Sequence, residues 1–249
     1  MRIAVLSDVH GNLAALRAVL DDVAGRGCDR VYCLGDVIGY GPNPNECLTL
    51  IRELDGCVLG NHDYGALIDP EGFSSAAEQA IFWTRKQIES GGDKDETRRR
   101  LQFLLEMPRF IREGDTVFVH GSIRNPLNEY VFPEDVHNRR KMEKLFSMIP
   151  SVCCQGHTHV PGVFSSDMDF TAASNLVGRF PLTEQNKYMI NVGSVGQPRD
   201  GDWRSCYAIL DGMSLEYFRV EYDVESVAKQ IRAIPELDDF LGERLLEGR

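Results

Sequence analysis

Short apolar runs alternate along this chain with stretches whose apolar residues recur at helical spacing. Ile3–Leu6, Val31–Leu34, Cys57–Leu59, Thr116–Val119, Val152–Cys154 and Met189–Val192 are largely apolar on both alternating faces and rich in Val and Ile. That is the texture of strands buried inside a layered α/β fold. Between the first two, apolar residues at 13, 16, 19, 20 and 23 predict a helix over Leu13–Val23, with Asn12 at its N-cap. A second helix is expected over Asn45–Leu54, so the opening reads as βαβ units and a largely parallel sheet. Past Tyr64, Phe73–Ser90 and Asp93–Glu106 read as helices with no strand between them. Residues from about 64 to 113 are therefore expected to form a helical insertion over one sheet edge. From Pro161 on, Gly162–Ser165, Lys187–Val192, Ser205–Leu210 and Leu215–Glu221 predict a second, more antiparallel sheet packed on the first. Helices over Asp223–Ile234 and Asp238–Leu246 close the chain. No repeat, low-complexity tract or linker interrupts the 249 residues, which are expected to form a single domain.

Each apolar run leads into the same small vocabulary. Ile3–Leu6 precedes Asp8-Val9-His10-Gly11, Val31–Leu34 precedes Gly35-Asp36, and Cys57–Leu59 precedes Gly60-Asn61-His62-Asp63. Thr116–Val119 gives His120-Gly121, Val152–Cys154 gives Gly156-His157-Thr158-His159, and Met189–Val192 gives Gly193-Ser194. Open α/β sheets bind ligands at the carboxyl ends of their strands, so these groups should converge on one rim. Taken singly, D-x-H or G-D is ordinary turn chemistry. Together the five motifs hold five of the six histidines in the chain, always beside Gly or a polar neighbour, and scatter does not produce that.

Asp8, His10, Asp36, Asn61, His120, His157 and His159 offer oxygen and imidazole nitrogen but no thiolate. That set suits Mn, Fe, Zn, Co or Ni better than an all-oxygen Ca or Mg cage. Seven ligands are too many for one open catalytic ion and fit two, about 3.5–4 Å apart if a carboxylate is shared. The net charge of −11 argues against nucleic-acid or acidic-membrane partners, which require a basic face. Arg98-Arg99-Arg100 is a single run on an expected helix and reads as a solvated face. Seven cysteines, none in a C-x-x-C pair, fit small buried hydrophobes in a reducing cytoplasm. Neither a signal peptide nor a membrane-length apolar run is expected from the sequence.

The ordered set D-x-H, G-D, G-N-H-D, H-G, G-H-T-H resembles that of the calcineurin-like metallophosphoesterases, over Ile3 to about Leu210. The resemblance implies a four-layer α/β/β/α sandwich of two mixed sheets flanked by helices, with a binuclear site at the strand ends. It implies that Asp8, His10 and His159 hold one metal, that Asn61, His120 and His157 hold the other, and that Asp36 bridges them. His62 would be a non-ligand histidine serving the leaving oxygen, with Asp63 orienting its ring. Asn61 would lie at the junction of metal and substrate.

The departures bear on substrate. The family's G-D-x-x-D-R reads here Gly35-Asp36-Val37-Ile38-Gly39-Tyr40, lacking the arginine by which the protein Ser/Thr phosphatases grip phosphate, and Asp63 stands where those enzymes carry Glu. Asn191-Val192-Gly193-Ser194 through Arg199 resembles the N-x-G-S loop of small prokaryotic phosphodiesterases and dinucleoside-polyphosphate hydrolases. Arg199 is thus a candidate phosphate clamp, or a solvated loop arginine. Tyr40 either stacks on a base or packs under its loop. The expected activity is phosphoester hydrolysis by metal-activated hydroxide on a small phosphoester or nucleotide, with no covalent intermediate. A protein phosphatase, an inactive scaffold of the same fold and a DNA-end nuclease are the rival readings.

Overall fold

A computed structural model describes residues 1–90 and 92–249. The first half runs β1 (Arg2–Leu6), α1 (Leu13–Ala24), β2 (Arg30–Cys33), α2 (Pro44–Ile51), β3 (Gly56–Cys57), α3 (Asn61–Leu67), α4 (Ser75–Ser90), α5 (Lys94–Glu106), β4 (Phe110–Glu113) and β5 (Thr116–Val119). The second runs α6 (Arg139–Met148), β6 (Val152–Gln155), β7 (Gly162–Ser165), β8 (Phe170–Ala172), β9 (Phe180–Pro181), β10 (Tyr188–Asn191), β11 (Ser205–Asp211), β12 (Ser214–Val220), α7 (Val224–Arg232) and α8 (Asp239–Glu247). Among the described residues the strands form two six-stranded sheets, ordered β3-β2-β1-β11-β12-β9 and β4-β5-β6-β10-β7-β8.

Both sheets are mixed. β1 runs parallel to β2 and antiparallel to β11, and β6 lies parallel to β5 and β10 while β10 is antiparallel to β7. Strand alternation then divides the side chains between two faces. Ile3 and Val5 join Tyr32, Leu34, Phe118 and Ile190 in the layer between the sheets. Ala4 and Leu6 point the other way, into the helical layer with Leu16, Val19, Leu48 and Ile51. On the far side Met142, Leu145 and Phe146 of α6 cover Val117, Cys153 and Met189. This is the four-layer α/β/β/α sandwich.

Several details depart from the sequence reading. β11 and β12, expected in the second sheet, complete the first, because β1 is central there and its free edge needs a partner. β4, expected inside the helical insertion, pairs with β5 at the edge of the second sheet. β3 ends at Cys57, since the Leu59 N–H leaves the ladder to bond the Pro108 carbonyl at 2.8 Å. The insertion does more than cover an edge. In α4, Ile81 and Ile88 enter the core under the first sheet, while Ala80 and Trp83 pack against Val227 and Leu241 of α7 and α8. In the arginine run, Arg98 and Arg99 are exposed but Arg100 is buried, so the run is not one solvated face. Asn12 caps α1 as expected, its Oδ1 accepting the Ala15 N–H at 3.1 Å. No helix among the described residues is long and apolar enough to cross a membrane.

The loops after β2 and β3 touch so closely that glycine is required. A Cβ on Gly60 would lie 2.1 Å from both the backbone nitrogen and Oδ1 of Asp36. Gly72 makes a contrast: its φ is +83° but nothing lies within 4 Å of a Cβ there. Gly60→Ala is expected to cost on the order of 3 kcal/mol, an overpacking clash with backbone on the other side. Gly72→Ala should cost only the left-handed strain, about 1–2 kcal/mol. Urea midpoints of the two variants test the difference.

Candidate metal centre

Six loops deliver polar groups to one rim. Asp8 and His10 follow β1, Asp36 follows β2, and Asn61, His62 and Asp63 form the first turn of α3. His120 follows β5, and His157 and His159 follow β6, while Ser194 and Arg199 sit in the loop after β10. All of the expected ligands are buried, Asn61 at 8% being the most accessible. Asp8, His10 and His159 present ligand atoms within 4.8 Å of one another, and so do Asp36, His120 and His157. Asp36 Oδ2 reaches both groups, at 3.4 Å from His120 Nε2 and 3.7 Å from His10 Nε2.

The backbone orients the imidazoles. The Nδ1 atoms of His10, His120 and His159 face the carbonyls of Ile38, Leu34 and Gln197 at 3.3, 2.9 and 2.6 Å. A carbonyl only accepts, so each Nδ1 carries the proton and each Nε2 presents a lone pair inward. Yet His10 Nε2 lies 3.2 Å from His159 Nε2, and His120 Nε2 lies 2.9 Å from Asn61 Oδ1 and 3.0 Å from His157 Nδ1. Asp8 Oδ1, 3.2 Å from His159 Nε2, is buried without a hydrogen-bond donor. Lone pairs facing each other in a dry site are repulsive unless a cation lies among them, so the residues fit divalent metal.

Charge balance points the same way. Burial pushes all five imidazoles toward the neutral form: His10 and His62 well below the ordinary range, His120 below it, His159 to about 4 and His157 to about 2. Burial, then the charges of Asp63 and Asp8, raise Asp36 well above the usual carboxylate range. Burial also opposes charge on Asp8, but positive charge on the facing imidazoles, His159 first, would outweigh it and draw that carboxyl low. Buried carboxylates this close call for positive charge between them.

The remaining expected residues divide. His62 is buried among the rings of Tyr40, His10 and Phe73 at 4.4, 4.8 and 4.9 Å, and its Nδ1 has no hydrogen-bond partner. A ring nitrogen of His62 lies within 4.8 Å of ligand atoms on His10 and Asp36. Asp63 corrects the sequence reading. Its Oδ2 accepts the Gly60 N–H at 3.0 Å and its Oδ1 those of Val37 and Ile38 at 3.0 and 3.2 Å. It caps the start of α3 and ties that helix to the Asp36 loop, and it makes no hydrogen bond to the His62 ring. Tyr40 packs on His10 and His62 and against the α7–α8 cluster. Arg199 lies in the site's electrostatic field, depressing the pKa of His62 and His159; its Nη2 donates to Gln197 Oε1 at 2.7 Å and its Nε is buried without a partner.

Other contributors carried less signal in the sequence. Asn191 Nδ2 donates to the Gly156 carbonyl and Thr158 Oγ1 at 2.7 and 2.8 Å, bracing the G-H-T-H turn, and Ser194 Oγ donates to the Asp8 carbonyl at 2.8 Å. The N-x-G-S string marked these two without their roles. Tyr130 stacks on His157 with centroids 3.7 Å apart, and nothing in its local sequence announces that.

Residues 1–214 match the calcineurin-like phosphoesterase superfamily domain, and the chain belongs to that family of metal-dependent phosphoester hydrolases. A crystal structure of a metallophosphoesterase from Sphaerobacter thermophilus is similar with a TM-score of 0.82 and 36% identity, covering 100% of this chain and 99% of that one. An uncharacterized protein of Methanocaldococcus jannaschii is 40% identical across 99% of this chain and 98% of its own. A symmetrical bis(5'-nucleosyl)-tetraphosphatase of Aromatoleum aromaticum is 28% identical over 49% of this chain and 45% of its own length.

The neutral imidazoles set a pH dependence. Each has a folded pKa below its unfolded value of about 6.5, so its contribution is fully present above that pH and is lost as pH falls through it. Each such group weakens the fold by up to about 1.4 kcal/mol per pH unit. Asp63, raised by burial to about 6, and Asp36 act in the opposite sense, but five imidazoles outnumber two carboxyls. Chelator-treated protein should therefore lose stability steadily from pH 7 to pH 5, read as a falling urea midpoint.

Proposed function

We propose that this protein hydrolyses phosphoester bonds of small or nucleotide substrates through a binuclear centre. Asp8, His10 and His159 would hold one divalent transition-metal ion, Asn61, His120 and His157 the other, with Asp36 between them. The observation that carries this reading is the single oxygen, Asp36 Oδ2, that faces an unprotonated Nε2 from each group at 3.4 and 3.7 Å. When bound, such ions, whether Mn, Fe, Zn, Co or Ni, supply Lewis acidity and a water of lowered pKa.

The chain's own groups do the rest. Burial keeps His62 neutral at rest, and one of its ring nitrogens lies within 4.8 Å of ligand atoms on His10 and Asp36. That suits it to the oxygen that departs with the alcohol or nucleoside. Arg199 brings a fixed positive charge and an unpaired N–H to the rim, fitting a phosphoryl oxygen where the family's arginine beside Asp36 is missing. Tyr40 presses the His10 and His62 rings from the α7–α8 side and acts by packing. The Aromatoleum tetraphosphatase supports nucleotide substrates over phosphoproteins. A complete ligand set with His62 in place speaks against an inactive scaffold. Seven cysteines standing as thiols, six of them buried, support a cytoplasmic setting.

Two measurements test this reading. Metal-loaded, dialysed protein should approach two equivalents by elemental analysis, and Asp36→Asn should weaken retention of both; one equivalent with full activity would contradict the binuclear site. His62→Ala should keep its metal and lose activity by about 10²–10⁴-fold on alkyl or nucleoside esters. The loss should shrink on p-nitrophenyl esters, whose leaving group needs no proton. Loss of metal in His62→Ala would make it a ligand, and equal losses on both ester types would remove its acid role.

A further inference from the structure

The loop between β5 and α6 holds two aromatic rings out at the mouth of the site. Tyr130 and Phe132 are each 43% exposed, while Val131 between them is 2% exposed and packs in the α6 layer. Phe132 is extended, at φ −87° and ψ 157°. Alternate residues of an extended stretch point to the same side, so burying Val131 puts both rings outside. They are stacked, with planes 7° apart and centroids separated by 5.4 Å. Tyr130 in turn lies over His157, with planes 18° apart and a centroid separation of 3.7 Å. Three nearly parallel rings thus lead from a proposed metal ligand out to solvent.

The segment is rigidly held. Asp135 accepts the Phe132 N–H at 2.8 Å, and Lys141 donates to the Tyr130 carbonyl and to Asp135 at 2.8 and 2.6 Å. Beside the Tyr130 ring is a cavity of about 250 Å³ lined by Asn61, Glu71, Phe73, Asn128, Tyr130 and His157. Exposed aromatics scattered singly need no explanation, but two aligned in register with a metal ligand form a surface. A planar π-system is the ligand such a surface fits, and base-on-aromatic stacking is worth roughly 5- to 150-fold in affinity. Glu71 and Asn128 add an acceptor and an amide on the cavity wall. Those match the amino group and ring nitrogens of a nucleobase, which a phenyl ring lacks.

We infer that Tyr130 and Phe132 form a subsite for the nucleobase of a substrate whose phosphate lies at the metal centre. The inference rests on the phosphoester reading above and narrows the substrate to nucleotides. The test uses AMP and ribose 5-phosphate, which share a phosphorylated sugar and differ in the base, binding to metal-loaded full-length protein by calorimetry. Wild type should bind AMP about 10-fold or more tightly. Phe132→Ala should bring the ratio toward one, and Phe132→Trp should restore it. Equal affinities in wild type, or a ratio unmoved by Phe132→Ala, overturn the subsite. Phenyl phosphate binding as tightly as AMP overturns its assignment to a base. Binding with base preference but no turnover of any phosphoester would sink the proposed activity and leave the subsite standing; turnover without base preference would do the reverse.

Discussion

A single carboxylate organises the rim. Asp36 Oδ1 accepts the His62 N–H at 2.8 Å, which locks the loop after β2 to the first turn of α3. Its Oδ2 faces the histidines that follow β1 and β5, one from each sheet. Gly60 packs against it from behind with no room for a side chain. To satisfy one buried oxygen pair in this way, the neighbouring loops must bend beyond their relaxed shapes. Asp8, His10, Asp36, Tyr40, His157 and His159 all adopt positive φ, and Met168 is the only other non-glycine residue to do so among those described. Each such residue costs on the order of 1–3 kcal/mol, sustained by the packed sheets beneath. Asp and His tolerate this region better than bulkier residues, so the metal-ligating types are also those able to take the required shape.

What the sequence made legible was whatever depends on local pattern. The two-sided apolar runs located the buried strands, and the five polar motifs at their ends located the rim. The pairing of strands was less legible, because β11 and β12 look alike whichever sheet they join; only the need of β1 for a second neighbour decides it. α6 escaped notice since its buried apolar residues, Met142, Leu145 and Phe146, are outnumbered by basic and polar ones. Asp63 was misread for a different reason. A carboxylate next to a candidate catalytic histidine invites a catalytic role, yet the N-cap N–H of Gly60 claims one oxygen and the Asp36 loop claims the other.

The groups that orient these side chains are mostly backbone. Carbonyls of Leu34, Ile38 and Gln197 set the imidazole tautomers, and Asn191, Ser194 and Asp63 hold the loops that carry those carbonyls and ligands. The geometry of the rim therefore depends on loop shape as much as on the identity of the side chains it gathers.

Strand order also has a consequence for the birth of the protein. The second sheet is drawn from Phe110 to Asn191, a stretch broken only by β9, which joins the first sheet. The first is split around it: β1 pairs with β11 through contacts such as Arg2 opposite Asp211. As the chain emerges from a ribosome, β1, β2 and β3 therefore precede by far the partner that closes their open edge. Ile3, Val5 and Tyr32 must wait for the second sheet to cover them. Pairings of such long range form slowly, and an uncovered apolar edge is open to aggregation while they do. Asp8 from the first sheet and His159 from the second lie 3.2 Å apart, so the rim itself is complete only once the two sheets have packed.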